Sequence, residues 1–577
     1  MLLKTKYEIG AVPHSEYPRP QLVRDSYYTL NGQWDLSKKC ADDEIKHYGK
    51  IMVPFSPEAY NSGVSSDFTL SSDETLIYDR EFEIPSIFIQ GTTIIHFGAV
   101  DCKCTVYLNG ERVCDHTGGF TPFSADISRC IREGINTIKV ECRDNIDGYQ
   151  GARGKQSVNP GTIWYTSQSG IWQSVWLESM PSKYIADITV KTDPIAKTVS
   201  IVGDYDGEQT VCVYDDGKVI FEQKFYNSIE IKYDFEIWSP ENPKLYDFEI
   251  ITDSGDKIRS YFGVRSFGIG KDNNGIARLL LNGKPYFFNG LLDQGYWSDG
   301  LLTYPCDEAI VDELTMLKAM GFNMIRKHIK LEPLRWYYHC DRLGLVVWQD
   351  FVNGGGEYKF MRIAAAPFLS LKHDDSDYKY FSREDEEGRR EYEAAVYETV
   401  GALKNCTCIG VWVPFNEGWG QFDSAKYTRL VKQLDDTRVI DSVSGWYDQG
   451  VGKTELKSLH TYYTSLKVPK DARPVVLSEF GGYSLQIKDH VFSEKIFGYR
   501  VFKTEAEFCD AIEKLYLEKL MPLISKGLCA CVYTQVSDVE QEINGLVTYD
   551  RKYIKIPIER MADINRKVFE ESKKVES

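Results

Sequence analysis

The sequence predicts a multidomain chain in three parts. These are an antiparallel β-sandwich over residues 1–182, a smaller immunoglobulin-like β-sandwich over 183–267 and a C-terminal (β/α)8 TIM barrel over 268–577. Three observations carry this. The 577 residues are too many for one core. Up to about residue 270 the chain reads as short strands with turn punctuation and no helical periodicity. Beyond that point strand patterns alternate with helical ones.

In the first part, Val100–Leu108 alternates apolar and polar residues and runs into Asn109-Gly110, a hairpin signal, and Ile135–Cys142 alternates again. Sustained strands without helices make an antiparallel sandwich. In the second part Ile185–Lys191, Val211–Tyr214 and Tyr246–Ile251 are strand-like, within a length that suits an immunoglobulin-like unit. In the third, Ile310, Leu314, Leu317 and Met320 recur at helical spacing within Asp307–Met320, and a second helix runs through Pro333–Leu343. Strands are expected at Lys284–Asn289, Asn323–Arg326, Leu345–Asp350, Cys408–Phe415, Arg438–Val443, Lys457–Tyr462, Pro474–Glu479 and Leu528–Tyr533. About eight β/α units in this length suit a closed barrel. A doubly wound sheet is the alternative, and no Gly-rich phosphate loop supports it. The mixed-charge run Arg383–Glu393 reads as a solvated helix face.

The net charge of −17 argues against nucleic acid or an anionic membrane as partner. The first ten residues hold no apolar run of signal-peptide length, and no run of about 18 apolar residues appears anywhere, so a cytoplasmic protein is expected. Three Cys-x-Cys pairs, Cys102/Cys104, Cys406/Cys408 and Cys529/Cys531, lie in strand-like stretches, and no zinc spacing completes them. They read as buried free thiols, with no metal and no cofactor.

Two acids stand at the ends of buried strands. Glu417 lies in Gly410-Val-Trp-Val-Pro-Phe-Asn-Glu-Gly-Trp-Gly-Gln421 and Glu479 in Pro474-Val-Val-Leu-Ser-Glu-Phe-Gly-Gly482. Two carboxyls on two strand tips of one barrel can face one substrate. Held about 5–5.5 Å apart, they can cleave a glycosidic bond, one as acid/base and one as nucleophile. Apolar neighbours of Glu417, including Trp419, would raise its pKa as a general acid requires, and Asn416 can donate to a sugar hydroxyl. A nucleophile must stay ionised, and Arg326 and Tyr463 are candidates to keep Glu479 so. His460, Asp350 and Asp293 with Gln294 end further strands, and Lys327-His328 sit just past another; all are candidate pocket residues. Each has a plainer reading as a hydrogen-bonded core residue, loop cap or structural ion pair, Arg326 with Asp350 or Glu332 among them.

Leu30-Asn-Gly-Gln-Trp34, Tyr78-Asp-Arg-Glu-Phe-Glu-Ile-Pro85, Gly118-Gly-Phe-Thr-Pro-Phe123, Ser169-Gly-Ile-Trp-Gln-Ser-Val-Trp-Leu177 and Phe262-Gly-Val-Arg265 extend the pattern. With the two acid motifs, they make nearly the whole chain resemble glycoside hydrolase family 2, the group of β-galactosidases, β-glucuronidases and β-mannosidases. The resemblance implies that the first sandwich is a jelly roll of the sugar-binding type. It also implies that Asn416-Glu417 is the acid/base motif with Asn416 on the 2-hydroxyl, that Glu479 is the nucleophile with Tyr463 beside it, and that His460 and Arg326 fall at pocket positions. The expected activity is that of a retaining exo-β-glycosidase on a small glycoside or oligosaccharide, and a homo-oligomer fits the family. Where β-glucuronidases carry an Asn-x-Lys pair, this chain reads Glu542-Ile-Asn-Gly-Leu-Val-Thr548 without Lys, and the loop Leu292–Gly300 lacks their Arg-His pattern. A β-galactoside is therefore the expected substrate, with a glucuronide as the alternative. A non-catalytic carbohydrate-binding protein would have lost an acid, and a metal-dependent hydrolase would need a His and Asp ligand set that the sequence lacks.

Overall fold

The computed structural model describes residues 3–64, 68–359, 362 and 372–576. The first unit is an antiparallel sandwich. Its larger sheet runs, edge to edge, Ile45–Val53, Gly32–Lys39, Thr75–Ile84, Gly134–Arg143, Lys103–Leu108 and Glu111–Thr117. The facing sheet runs Tyr27–Thr29, Val175–Met180, Thr92–Phe97 and Phe123–Asp126. Alternation does the work: Ile138, Val140 and Cys142 point into a core with Trp34, Leu36, Tyr78 and Phe97, and the residues between them are more exposed. Asn109 and Gly110 both take positive φ, 51° and 83°, as a tight hairpin requires. The second unit packs a three-stranded sheet (Ile188–Asp193, Thr198–Gly203, Ser228–Lys232) near a four-stranded one (Lys218–Tyr226, Glu208–Asp215, Tyr246–Thr252, Lys257–Phe262) around Val199, Ile201, Val211, Val213 and Ile250. Seven strands in two antiparallel sheets is the immunoglobulin-like arrangement.

The third unit is a parallel barrel. Its strands are β1 (Phe288–Asp293), β2 (Met324–Lys327), β3 (Val346–Asp350), β4 (Ile409–Val413), β5 (Val439–Ile440), β6 (Lys457–Thr461), β7 (Val475–Gly481) and β8 (Leu528–Thr534), paired in the order β5-β4-β3-β2-β1-β8-β7-β6. Among the described residues the α-helices are α1 (Asp307–Ala319), α2 (Leu334–Leu343), α3 (Glu386–Leu403), α4 (Ser424–Leu434), α5 (Glu505–Lys514) and α6 (Ile558–Glu576). Acids at the start of α1 and Lys318 in its last turn suit its dipole, and the Asp385 carboxylate caps α3 by accepting from Gly388 N at 2.7 Å. Pro414 has no N–H to give, so the β4 ladder breaks there. Pairing resumes at Phe415–Asn416, beside Val443–Ser444 beyond β5.

One strand face fills the barrel and the other meets the helices. Phe288, Leu292, Met324, Val346, Trp348, Val411, Val476 and Val532 pack inside, while Leu291, Ile325, Val347 and Trp412 face outward. The opening strand differs from expectation. Lys284–Pro285 belongs to a small antiparallel sheet with Phe267–Lys271 and Ala277–Leu281, and the barrel begins at Phe288. Leu279 and Leu281 of that sheet pack against the barrel interior. The mixed-charge run does form a largely solvated helix face from Glu386 on, and only its first residue departs from expectation. Arg383 is buried and donates to Gly420 O at 2.8 Å and Gln150 O at 2.7 Å, so it joins the β4 loop to the first sandwich. All 14 cysteines are unpaired, and the six of the Cys-x-Cys pairs are buried. Among the described residues no helix is long and apolar enough to cross a membrane.

Candidate active site

Glu417 and Glu479 converge at the C-terminal mouth of the barrel. A carboxylate oxygen of each and a ring nitrogen of His460 lie within 4.8 Å of one another. Backbone irregularities aim them. Glu417 follows the interrupted strand β4 with φ +52°, a left-handed conformation costly for a side-chain-bearing residue, and its N–H donates to Ser444 O at 2.9 Å. The β7 register shifts between Leu477 and Phe480. As a result Ser478 reaches Ser444 Oγ at 2.9 Å while the next residue, Glu479, still meets Arg326 at the mouth.

His460, at the tip of β6, bridges the acids. Its Nδ1 is hydrogen-bonded to Glu417 Oε1 at 2.7 Å, and its Nε2 lies 3.6 Å from Glu479 Oε1 and 3.0 Å from Ser444 Oγ. Arg326, fully buried on the inner face of β2, organises the other side. Its Nε and one terminal nitrogen grip both oxygens of Asp350 at 2.9 and 3.0 Å. That terminal nitrogen also donates to Asn416 Oδ1 at 2.9 Å, and the other donates to Glu479 Oε1 at 3.1 Å. The guanidinium is thus both a structural ion pair and a neighbour of the acids. Because Arg326 takes Asn416 Oδ1, the Asn416 amide nitrogen is left without a partner among the described residues. The buried indole nitrogens of Trp419 and Trp446 are likewise unpartnered. Asn416 adjoins Glu417 and the Trp446 ring lies 5.9 Å from that of His460, so these unpartnered donors border the acids and suit a polar ligand.

The two acids are driven apart electrostatically. Burial first, and then the charge of Glu479, raise the Glu417 pKa above the usual carboxylate range. Burial pushes Glu479 up too, but His460, the Arg326 guanidinium and the Tyr462 hydroxyl outweigh it and hold Glu479 below that range. At neutral pH one carboxyl is therefore the better proton donor and the other the better anion. His328 is kept neutral by burial and then by the charge of Lys155, and its Nδ1 is hydrogen-bonded to Asp350 Oδ2 at 2.8 Å.

The remaining expectations divide by strand parity. Tyr463 is 62% exposed, and it is the Tyr462 hydroxyl that donates to Glu479 Oε2. Tyr462 shares the inward face of His460 two residues before it, and Tyr499 stacks on its ring at 3.9 Å. Asp293 shares the outward face of Leu291. Its carboxylate holds Lys327 Nζ at 2.5 Å and Gly295 N at 2.8 Å, and Lys327 also pairs with Glu332 at 2.7 Å, so Asp293 and Lys327 form a buried ion-pair group behind the barrel wall. Asp350 faces inward, but Arg326 and His328 occupy both its oxygens, which makes it a support for the pocket. Gln294 is tied to Gln535 at 2.8 Å. Trp419 lies beside Trp164 of the first sandwich, with ring centroids 5.3 Å apart. Sequence reasoning missed Tyr462, which parity from His460 would have found. It also missed Tyr499, Ser444 and Lys155, for which no local signal exists.

Known proteins match the chain in the same two places. The model for "Glycosyl hydrolases family 2, sugar binding domain" matches residues 29–181, and that for "Glycosyl hydrolases family 2, TIM barrel domain" matches residues 275–486. The β-galactosidase of Oenococcus oeni is 23% identical over 526 residues, covering 78% of this chain and 47% of that protein. The β-glucuronidase of Rattus norvegicus is 24% identical over 426 residues, covering 65% of this chain and 60% of that protein. The chain thus spans about half the length of the curated relatives it matches. The solved β-D-glucuronidase of Dictyoglomus thermophilum shares the fold, with a TM-score of 0.74 at 18% identity over 96% of this chain and 98% of that one.

Proposed function

Because the chain belongs to glycosyl hydrolase family 2, we propose that it is a retaining exo-β-glycosidase with Glu479 as nucleophile and Glu417 as acid/base. One observation carries the reading: an oxygen of each carboxyl lies within 4.8 Å of the other, and their surroundings push their proton affinities in opposite directions. Oxygens that close suit a retaining pair, whose carboxyls sit about 5–5.5 Å apart, better than an inverting pair at roughly 6.5–9.5 Å with a water between them. In the first step a Glu479 oxygen attacks the anomeric carbon and the C–O bond to the leaving group breaks. The Glu417 proton passes to the departing oxygen. In the second, ionised Glu417 takes a proton from water, the hydroxide adds to the anomeric carbon, and the ester bond to Glu479 breaks. The free Asn416 amide suits a hydroxyl beside the reacting carbon. Tyr462 and Arg326 hold the nucleophile as its charge falls and returns.

The neutral sugar reading is a terminal β-galactoside, supported by the missing Lys in 542–548, where Glu542 instead accepts from Asn544 Nδ2 at 2.8 Å and from the Tyr165 hydroxyl. A terminal β-uronoside is a second reading, favoured by an unpaired lysine at the pocket. The test is a panel of nitrophenyl β-glycosides (galactose, glucose, mannose, xylose, glucuronic and galacturonic acid) with the product followed by proton NMR. The first sugar released should be the β-anomer; release as the α-anomer would overturn the mechanism. On whichever glycoside is cleaved best, Tyr462→Phe should lower kcat about 10–100-fold by removing one charge-assisted hydrogen bond. Tyr463→Phe should stay within about twofold, and the reverse order would reject the assignment of Tyr462.

A further inference from the structure

We infer that Lys155, brought from the first sandwich to the barrel mouth, reads an acidic substituent on the sugar, the carboxylate of a β-linked hexuronic acid. The inference rests on the glycosidase reading for the word sugar, but not for the anion.

The backbone fixes where Lys155 goes. Gly154 has φ +66° and donates its N–H to Asn353 O at 3.1 Å, just beyond β3. A Cβ there would lie 3.3 Å from Ile329 O, so glycine permits the close approach. Gln150 O is held by Arg383 at 2.7 Å. Lys155 O accepts from Tyr165 N at 3.0 Å, and Gln156–Ser157 pairs with Tyr165–Thr166. The lysine is thus seated by main-chain contacts on both sides of the seam between sandwich and barrel.

Its ammonium is the exception among the buried lysines. Lys38 has Thr69 O and Glu74, and Lys327 has Asp293 and Glu332. Lys330 has Glu332 and two carbonyls, and Lys555 has Asp538 and Ile543 O. Lys155 is only 8% exposed, and among the described residues no acceptor lies within hydrogen-bonding or ion-pairing reach of its Nζ. What it has is two aromatic rings, Tyr165 and Trp419, each with its centroid 5.5 Å away. An ammonium held between two rings with no counter-charge among the described residues is open to an anionic ligand as its partner.

Its position points to the substrate. Trp419 stands two residues after Glu417, and the Lys155 charge is felt at both Glu417 and His328. Glu542 does not serve as its counter-ion. Tyr165 spans the two, with its hydroxyl on Glu542 and its ring toward the ammonium, and Asn544 takes the other Glu542 oxygen. The orphaned Asn416, Trp419 and Trp446 donors are enough for hydroxyls. Only an anion neutralises the ammonium.

The test is titration calorimetry at neutral pH with D-glucuronate and D-galacturonate against D-glucose and D-galactose, on the full chain and on Lys155→Met and Lys155→Arg. One of the acids should bind at least about tenfold more tightly than its neutral counterpart, the worth of one charged hydrogen bond. Lys155→Met should abolish the preference, Lys155→Arg should retain it, and added salt should weaken it. Absence of acid binding, equal binding of acid and neutral sugars, or a preference that survives Lys155→Met would each overturn the assignment. Binding needs no turnover, so the two readings fail separately. Cleavage of neutral glycosides alone would reject Lys155 and leave the glycosidase. Tight acid binding without cleavage of any glycoside would do the opposite.

Discussion

Glu479→Gln is expected to lower kcat by at least about 10⁴-fold on every glycoside the wild type cleaves, the scale of losing a covalent nucleophile. The amide keeps the size of the side chain and can still meet Tyr462 and Arg326, so folding and ground-state binding should survive. Calorimetry with the free sugar then separates lost chemistry from lost structure. The loss should be independent of the leaving group, since no anion remains to attack the anomeric carbon. Turnover within about tenfold of wild type would remove Glu479 from the mechanism.

Glu417→Ala should behave differently. With no proton donor, glycosides of poor leaving groups should slow by about 10²–10⁴-fold. Dinitrophenyl glycosides, which depart without a proton, should still form the glycosyl-enzyme in a burst and then stall at hydrolysis. Azide should restore their turnover and give the β-glycosyl azide, because a small anion fits the space left by the carboxylate and needs no base. The pH profile adds an independent check. Activity requires Glu479 ionised and Glu417 protonated. Glu479 is held below the usual carboxylate range, so the wild-type acid limb falls below it; Glu417 is raised, so the alkaline limb falls as pH passes its elevated pKa. Glu417→Ala should abolish the alkaline limb of kcat/KM and leave the acid limb in place. An unchanged alkaline limb would assign that proton to another group.

Much of the site was legible because the signals were local. A buried apolar run ending in an acid and glycines identifies a strand tip, and Asn416-Glu417 and Glu479 both carry it. Where a prediction went astray, the missing quantity was usually parity. Asp293 sits at a strand end as Asp350 does, yet the first shares its face with Leu291 and the second with Trp348, so one lies behind the wall and the other behind the pocket. Tyr462 and Tyr463 differ in the same way. Arg383 looked solvated because its neighbours are charged, but its partners at Gln150 and Gly420 come from distant segments.

The sequence by itself determined the order of the three units, the strand ends that carry the acids and the chemical type of both, since periodicity and residue identity are properties of neighbours in the chain. Tertiary structure alone decided that His460 bridges the acids and that Arg326 orders three side chains at once. It also decided that a lysine some 260 residues before Glu417 stands beside Trp419 without a counter-charge. The physical reason is that pairing, burial and proton affinity depend on what surrounds a group in space, and folding brings those neighbours from parts of the chain that carry no mark of one another.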